Sequence, residues 1–116
     1  LNVDPTEKNP TMIRTALIEL YETELDLEPT DLALIDIAAP MLARAAQLDA
    51  VVKREGQMIP GGNRAGMFVL HPGIAQAQTN RASAASYLAK IRGEGEGAKR
   101  GHNARDAIAA RWGNRV

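Results

Sequence analysis

The sequence contains no cysteine, which excludes disulfides, thiolate zinc sites and a cysteine nucleophile. Aromatic residues are only 3% of its 116 residues, so a core must be built from aliphatic side chains and alanine. Alanine removes little area from water, and at about 25 cal/mol per Å² an alanine-rich contact contributes modestly per residue. A lone subunit is therefore expected to be marginally stable, and self-association is an economical way to complete its core. No apolar run approaches the roughly 20 residues needed to cross a bilayer. The start of the chain, Leu1 to Thr6, has neither the basic nor the apolar region of a signal peptide, so a soluble intracellular protein is expected.

Catalytic constellations are missing too. His71 and His102 lie far apart, one before a proline and one in a glycine-rich tail, without metal-ligand spacing. Gly61-Gly62-Asn63-Arg64 lacks the lysine and the Ser/Thr of a phosphate-binding loop. Glu24, Asp26, Glu28 and Asp31 crowd together, but two-metal chemistry needs carboxylates converging from a rigid scaffold. Acids beside a helix start are more simply an exposed linker favoured by the helix macrodipole. The expectation is a binding or assembly protein, not an enzyme, with no cofactor and no metal; His71 is expected to stabilise a turn.

What is present is charge, unevenly placed. The formal net charge is zero, yet residues 1–49 hold three bases (Lys8, Arg14, Arg44) against ten acids, a balance of −7 that the remainder offsets. Such a split points to polyanion contacts from one part of the chain, to contacts between unlike ends of neighbouring subunits, or simply to solvated faces.

Residues 1–10, with two prolines and no periodicity, read as a flexible arm. Thr11 is a candidate N-cap for a first helix reaching about Glu24, whose apolar stripe is Met12, Ile13, Ala16, Leu17 and Leu20. Thr30 is the candidate N-cap of a second helix. Its stripe of Leu34, Ile35, Ala38, Met41, Leu42, Ala45, Leu48 and Val52 runs to about Glu55, with Gly56 as the stop. Pro40 falls inside it, and the periodicity favours one bent helix over two short ones. Pro60-Gly61-Gly62-Asn63, between the apolar runs Gln57–Ile59 and Met67–Leu70, predicts a β-hairpin over residues 57–71. His71-Pro72 ends it and opens a third helix over Gly73–Ile91. That helix places Ile74, Ala77, Gln78, Arg81, Ala84, Ala85, Leu88 and Ile91 on one face. Arg81 there either meets Asp36, Asp49 or a neighbour's acid, or snorkels at the edge of the face.

The expected fold is mainly α, an antiparallel helical hairpin with a short β-hairpin inserted between its two long helices, in a ring-forming oligomer. Residues 11–91 form the helical core and oligomerisation domain. Residues 92–116 are a flexible glycine-rich linker and a basic C-terminal docking segment, with Ala104, Ile108 and Trp112 on one side of a short helical run. So short a run is not a stable helix alone and reads as a peptide that folds on a partner. Lys53, Arg54 and Arg64 around the hairpin, with Lys99, Arg100, Arg105 and Arg111 in the tail, are candidate phosphate contacts that bind DNA without reading bases. Met67, Phe68, Val69, Leu70, Ile74, Arg81 and Leu88 are candidate oligomerisation residues, since hairpin strands can pair with those of neighbours and so close a ring.

The run Leu27 to Ile35 opening a long helix, the Gly/Asn hairpin, Val69-Leu70-His71-Pro72 and the Ala/Gln/Arg-rich helix after it resemble the small terminase subunit of tailed phages, P27-type. Ala109-Ala110-Arg111-Trp112 also looks like tails in that family. The resemblance covers about residues 11–91. It implies a ring-forming, non-enzymatic viral packaging component acting in the cytoplasm of the infected bacterial host. Such a protein binds viral double-stranded DNA and recruits and regulates the large terminase subunit, which holds the ATPase and nuclease; here Ile108, Arg111 and Trp112 are the expected docking residues. Two rival readings stand beside it. A small dimeric helical DNA-binding regulator would need a helix-turn-helix in the first two helices, whereas the second begins acidic. A metal-dependent nuclease would need the acids at residues 24–31 to converge.

Overall fold

The computed structural model describes residues 3–93, in the order α1 (Pro10–Glu22), α2 (Pro29–Glu55), β1 (Met58–Pro60), β2 (Phe68–Leu70) and α3 (Pro72–Leu88). The linker and docking segment beyond Gly93 lie outside the described residues. The protein is mainly helical, with a small antiparallel sheet between the second and third helices, as expected. None of the described helices is long and apolar enough to cross a membrane.

Helix starts are set by proline and its neighbours more than by the threonines. Asn9 caps α1, its Oδ1 accepting from the N–H groups of Thr11 at 2.9 Å and Met12 at 3.4 Å. Pro10 supplies the first helical residue, where a missing N–H costs nothing. Likewise Glu28, not Thr30, is the N-cap of α2, because Pro29 takes the first helical position. That shift puts Asp31 three residues into the helix, where its Oδ2 accepts from the Glu28 N–H at 3.0 Å. Gly56 ends α2. The helix runs unbroken through Pro40, which is exposed, so the hydrogen bond that proline forfeits lies on the solvent side.

α2 and α3 lie antiparallel, joined by polar contacts along their length. His71 at the start of α3 meets Glu55 at the end of α2, Arg81 pairs with Asp49, and Arg92 and Gly93 beyond α3 bond to Asp31 near the start of α2. Arg81 therefore has its partner within the chain. α1 packs on the N-terminal half of α2, also antiparallel, as the Arg14–Asp36 ion pair and the bond from Gln47 to the Lys8 carbonyl show. Alanines make up much of what these helices bury, Ala38, Ala39, Ala43, Ala45 and Ala46 on α2 with Ala77 and Ala84 on α3. Gly73 tightens the approach further, since a Cβ there would stand 3.0 Å from both Val52 Cγ2 and His71 Nδ1.

The core is lopsided. Where three helices meet, Ile13, Leu17, Tyr21, Ile35, Leu88 and Ile91 are fully buried, each contributing about 1.5–3 kcal/mol by leaving water. Near the hairpin, α1 is absent and only Ala45, Leu48 and Ala77 form a small buried cluster. Two expectations change here. Leu88, expected at a subunit interface, is 1% exposed inside the chain's own core, so it is spent on the fold. The described part of the arm, residues 3–9, is tied down, with Val3 in the core and Asn9 and Lys8 bonded to the helices. Met12 and Gln78, by contrast, fall outside the buried faces.

Asp31 is the most heavily used side chain. Only 3% exposed, it accepts N–H groups from Glu28, Arg92 (3.2 Å) and Gly93 (3.1 Å). Asp31→Ala strands those donors, and the expected loss is about 2–4 kcal/mol by urea denaturation, with Asp31→Asn losing less because it keeps one acceptor oxygen. A loss within the ordinary surface range of about 0.5 kcal/mol would contradict this role.

Candidate nucleic-acid interface at the hairpin end

The last turn of α2 delivers Lys53 and Arg54, both exposed, immediately before Gly56 turns the chain into β1. β1 pairs with β2 in the register Met58↔Leu70, Ile59↔Val69 and Pro60↔Phe68. Side chains alternate across a strand, so the ribbon has two unlike faces. Ile59 and Val69 are half-buried. Met58, Pro60, Phe68 and Leu70 share the other face, with Met58 53%, Phe68 58% and Leu70 58% exposed. Met67 beside them is exposed as well.

The connecting loop folds back on itself through Gly61 N–H to the Met67 carbonyl at 3.0 Å and Met67 N–H to the Arg64 carbonyl at 3.2 Å. Gly62 adopts a φ of +100°, a conformation that strains any residue with a Cβ, and the Met67 side chain would also have to move aside. Arg64 is held exposed at the tip. The ladder extends past β2 through the His71 N–H, which donates to the Gln57 carbonyl at 2.7 Å.

His71 fixes the base of the hairpin. Its Nδ1 accepts the Gly73 N–H at 2.9 Å, capping α3, and its Nε2 lies 2.8 Å from Glu55 Oε1. An Nδ1 that accepts leaves the proton on Nε2, which then donates to Glu55. The histidine is therefore a turn-stabilising residue, as expected from its place before Pro72. Glu55 is the one acid between Ala50 and Gly93, against six bases, and it is engaged by this ring. A neutral ring leaves Glu55 charged and about half exposed, so the hairpin end carries Lys53, Arg54 and Arg64 against one carboxylate.

A shallow cleft of about 230 Å³ lies beside it, lined by Pro5, Thr6, Lys8, Ala46, Asp49, Ala50 and Lys53. Lys8 and Lys53 both line it, with Asp49. Sequence reading passed over Lys8 because its own segment is acidic, and no periodicity links it to α2. Met58, which the sequence places only within the apolar run Gln57–Ile59, is the cross-strand partner of Leu70.

Of the expected DNA contacts, Lys53, Arg54 and Arg64 come together at this end, whereas Lys99, Arg100, Arg105 and Arg111 lie outside the described residues, as do the docking residues Ile108 and Trp112. Of the expected oligomerisation residues, Met67, Phe68 and Leu70 are exposed, Val69 and Ile74 are half-buried, and Arg81 is paired with Asp49. The acids Glu24, Asp26, Glu28 and Asp31 do not converge: among the described residues no three His, Asp or Glu side chains are grouped to hold a metal.

His71→Ala removes a helix cap and the Glu55 contact together and is expected to cost about 1–2 kcal/mol in chemical denaturation, whereas His71→Asn keeps the cap and should recover about half. Equal losses in both variants would contradict the capping role. Comparison of the chain with protein families, curated proteins and solved structures finds no match in any of the three.

Proposed function

We propose that this chain is an oligomeric DNA-recognition component of viral genome packaging, a small terminase subunit that binds double-stranded DNA and recruits and regulates a large ATPase/nuclease subunit. The observation that carries the reading is the hairpin end, where an exposed apolar ribbon follows the exposed Lys53 and Arg54 at the end of α2 and carries the exposed Arg64 in its loop. Cations on a rigid base neutralise phosphates whatever the base sequence, and repetition around a ring multiplies such weak contacts into useful affinity. Self-association draws support from the segregated charge. The α1 side and the first half of α2 are acidic, and the hairpin with α3 is basic, so unlike sides of neighbours attract in a head-to-tail arrangement. Residues 92–116 are the proposed contact with the large subunit.

The dimeric regulator fits less well. Its recognition helix would be α2, whose approach carries the exposed acids Glu24, Asp26 and Asp36, which repel a phosphate backbone.

Native mass spectrometry should give a large closed oligomer; a monomer or dimer would contradict the packaging role. In DNA-binding titrations, log K should fall with log salt with a slope of about −3 for each fully engaged subunit, since three exposed cations release about 0.9 counterion each. A salt-independent affinity would exclude the phosphate contacts. Truncation after Gly93, which spares the bonds to Asp31, should abolish stimulation of the large subunit's ATPase without unfolding the core.

A further inference from the structure

The hairpin's exposed face needs an occupant, and its chemistry narrows the choice. Met58, Pro60, Phe68 and Leu70 on that face carry no side-chain hydrogen-bonding group that could read a base edge. Exposed Lys53 and Arg54 precede the ribbon at the end of α2 and exposed Arg64 lies in its connecting loop, against one carboxylate, Glu55, which is held at the ribbon's base by His71. A second copy docked face to face would bring two such basic rims together in a desolvated contact. A polyanion satisfies both parts of the surface at once, with cations on phosphates and apolar side chains against bases.

We propose that this hairpin is a wedge for the minor groove of double-stranded DNA, with Phe68 and Leu70 inserting at a base step and Arg64, Lys53 and Arg54 holding the flanking phosphates. The inference rests on the DNA-binding reading above and specifies its mode. Apolar side chains of these types are the ones that partly unstack base steps from the minor-groove side. Two paired strands are about 4.8 Å apart before side chains are added, while the groove is only about 6 Å wide. The ribbon therefore enters only if the groove opens, and an opened, unstacked step bends the duplex toward the major groove. Its selectivity then comes from deformability, and TA and CA/TG steps are the ones most easily unstacked.

The test uses the full chain and short duplexes carrying 2-aminopurine at a central TA step, with a donor–acceptor dye pair at the ends. Wild-type protein should brighten the 2-aminopurine and shorten the end-to-end distance. Phe68→Ala/Leu70→Ala changes only exposed side chains and should abolish both signals, with affinity for the TA duplex falling about tenfold or more, equivalent to at least 1.4 kcal/mol. Arg64→Ala should instead weaken binding uniformly across sequences and reduce the salt slope by about 1.

If wild-type protein binds DNA with steep salt dependence but neither signal appears, the wedge is wrong and the DNA-binding reading stands. If it binds no DNA even at low salt, both fall. If the double variant loses its oligomeric state in native mass spectrometry, a second copy covers this face and the wedge is overturned. Binding to phosphatidylserine vesicles in place of DNA overturns it in favour of a lipid surface.

Discussion

Two polar clamps hold the long helix pair in register, and everything else hangs from them. At one end the Asp31 carboxylate collects N–H groups from Glu28, Arg92 and Gly93. At the other, the His71 ring bridges Glu55 and the Gly73 N–H. Between them many of the buried residues are alanines, which permit close approach but contribute little area and few shape constraints. Hydrogen bonds to charged or buried groups are directional and costly to leave unmade, so they fix a register that alanine faces alone would leave loose. Between the clamps Arg81 pairs with Asp49 across the same seam, and the Tyr21 hydroxyl ties α1 to the end of α3 by donating to the Leu88 carbonyl at 3.3 Å.

The same arrangement explains why the molecule has one quiet end and one exposed end. α1 completes the core over the first half of α2 and there buries the large apolar side chains. It does not reach the hairpin, where the buried cluster shrinks to Ala45, Leu48 and Ala77. The apolar side chains that would fill a third layer there lie instead on the outer face of the ribbon. Because His71 anchors the ribbon's base, that face points in a direction set by the helix pair, a property suited to a rigid contact element.

Much of this was legible from residue patterns. The 3.6-residue stripe of α2 gave its length and its passage through Pro40, Gly56 gave its stop, and Pro60-Gly61-Gly62-Asn63 located the hairpin. Helix starts were read a residue or two late, because Pro10 and Pro29 claim the first helical turn and hand the cap to Asn9 and Glu28. Asp31 looked like one of four crowded acids; two of its partners lie sixty residues away along the chain, a relation that local spacing does not carry. Leu88 and Arg81 looked like interface residues because periodicity reports a face without saying what covers it, and here the cover is the chain's own α2 and α1. For the candidate site, the basic residues and most of the apolar ones were visible. The pairing of Met58 with Leu70 and the shared cleft of Lys8 and Lys53 depend on tertiary geometry.

The proposed wedge puts Phe68 and Leu70 in the minor groove, with the loop that joins the two strands beside them. The chain has no cysteine, so a single thiol introduced at the exposed tip by Ala65→Cys can carry an iron chelate without competing labels. Cleavage of bound DNA by that chelate should be confined to a few nucleotides at each site, with the cuts on the two strands offset toward their 3′ ends as a minor-groove source requires. Cuts offset toward the 5′ ends, or no cleavage above that of free chelate, would contradict the account.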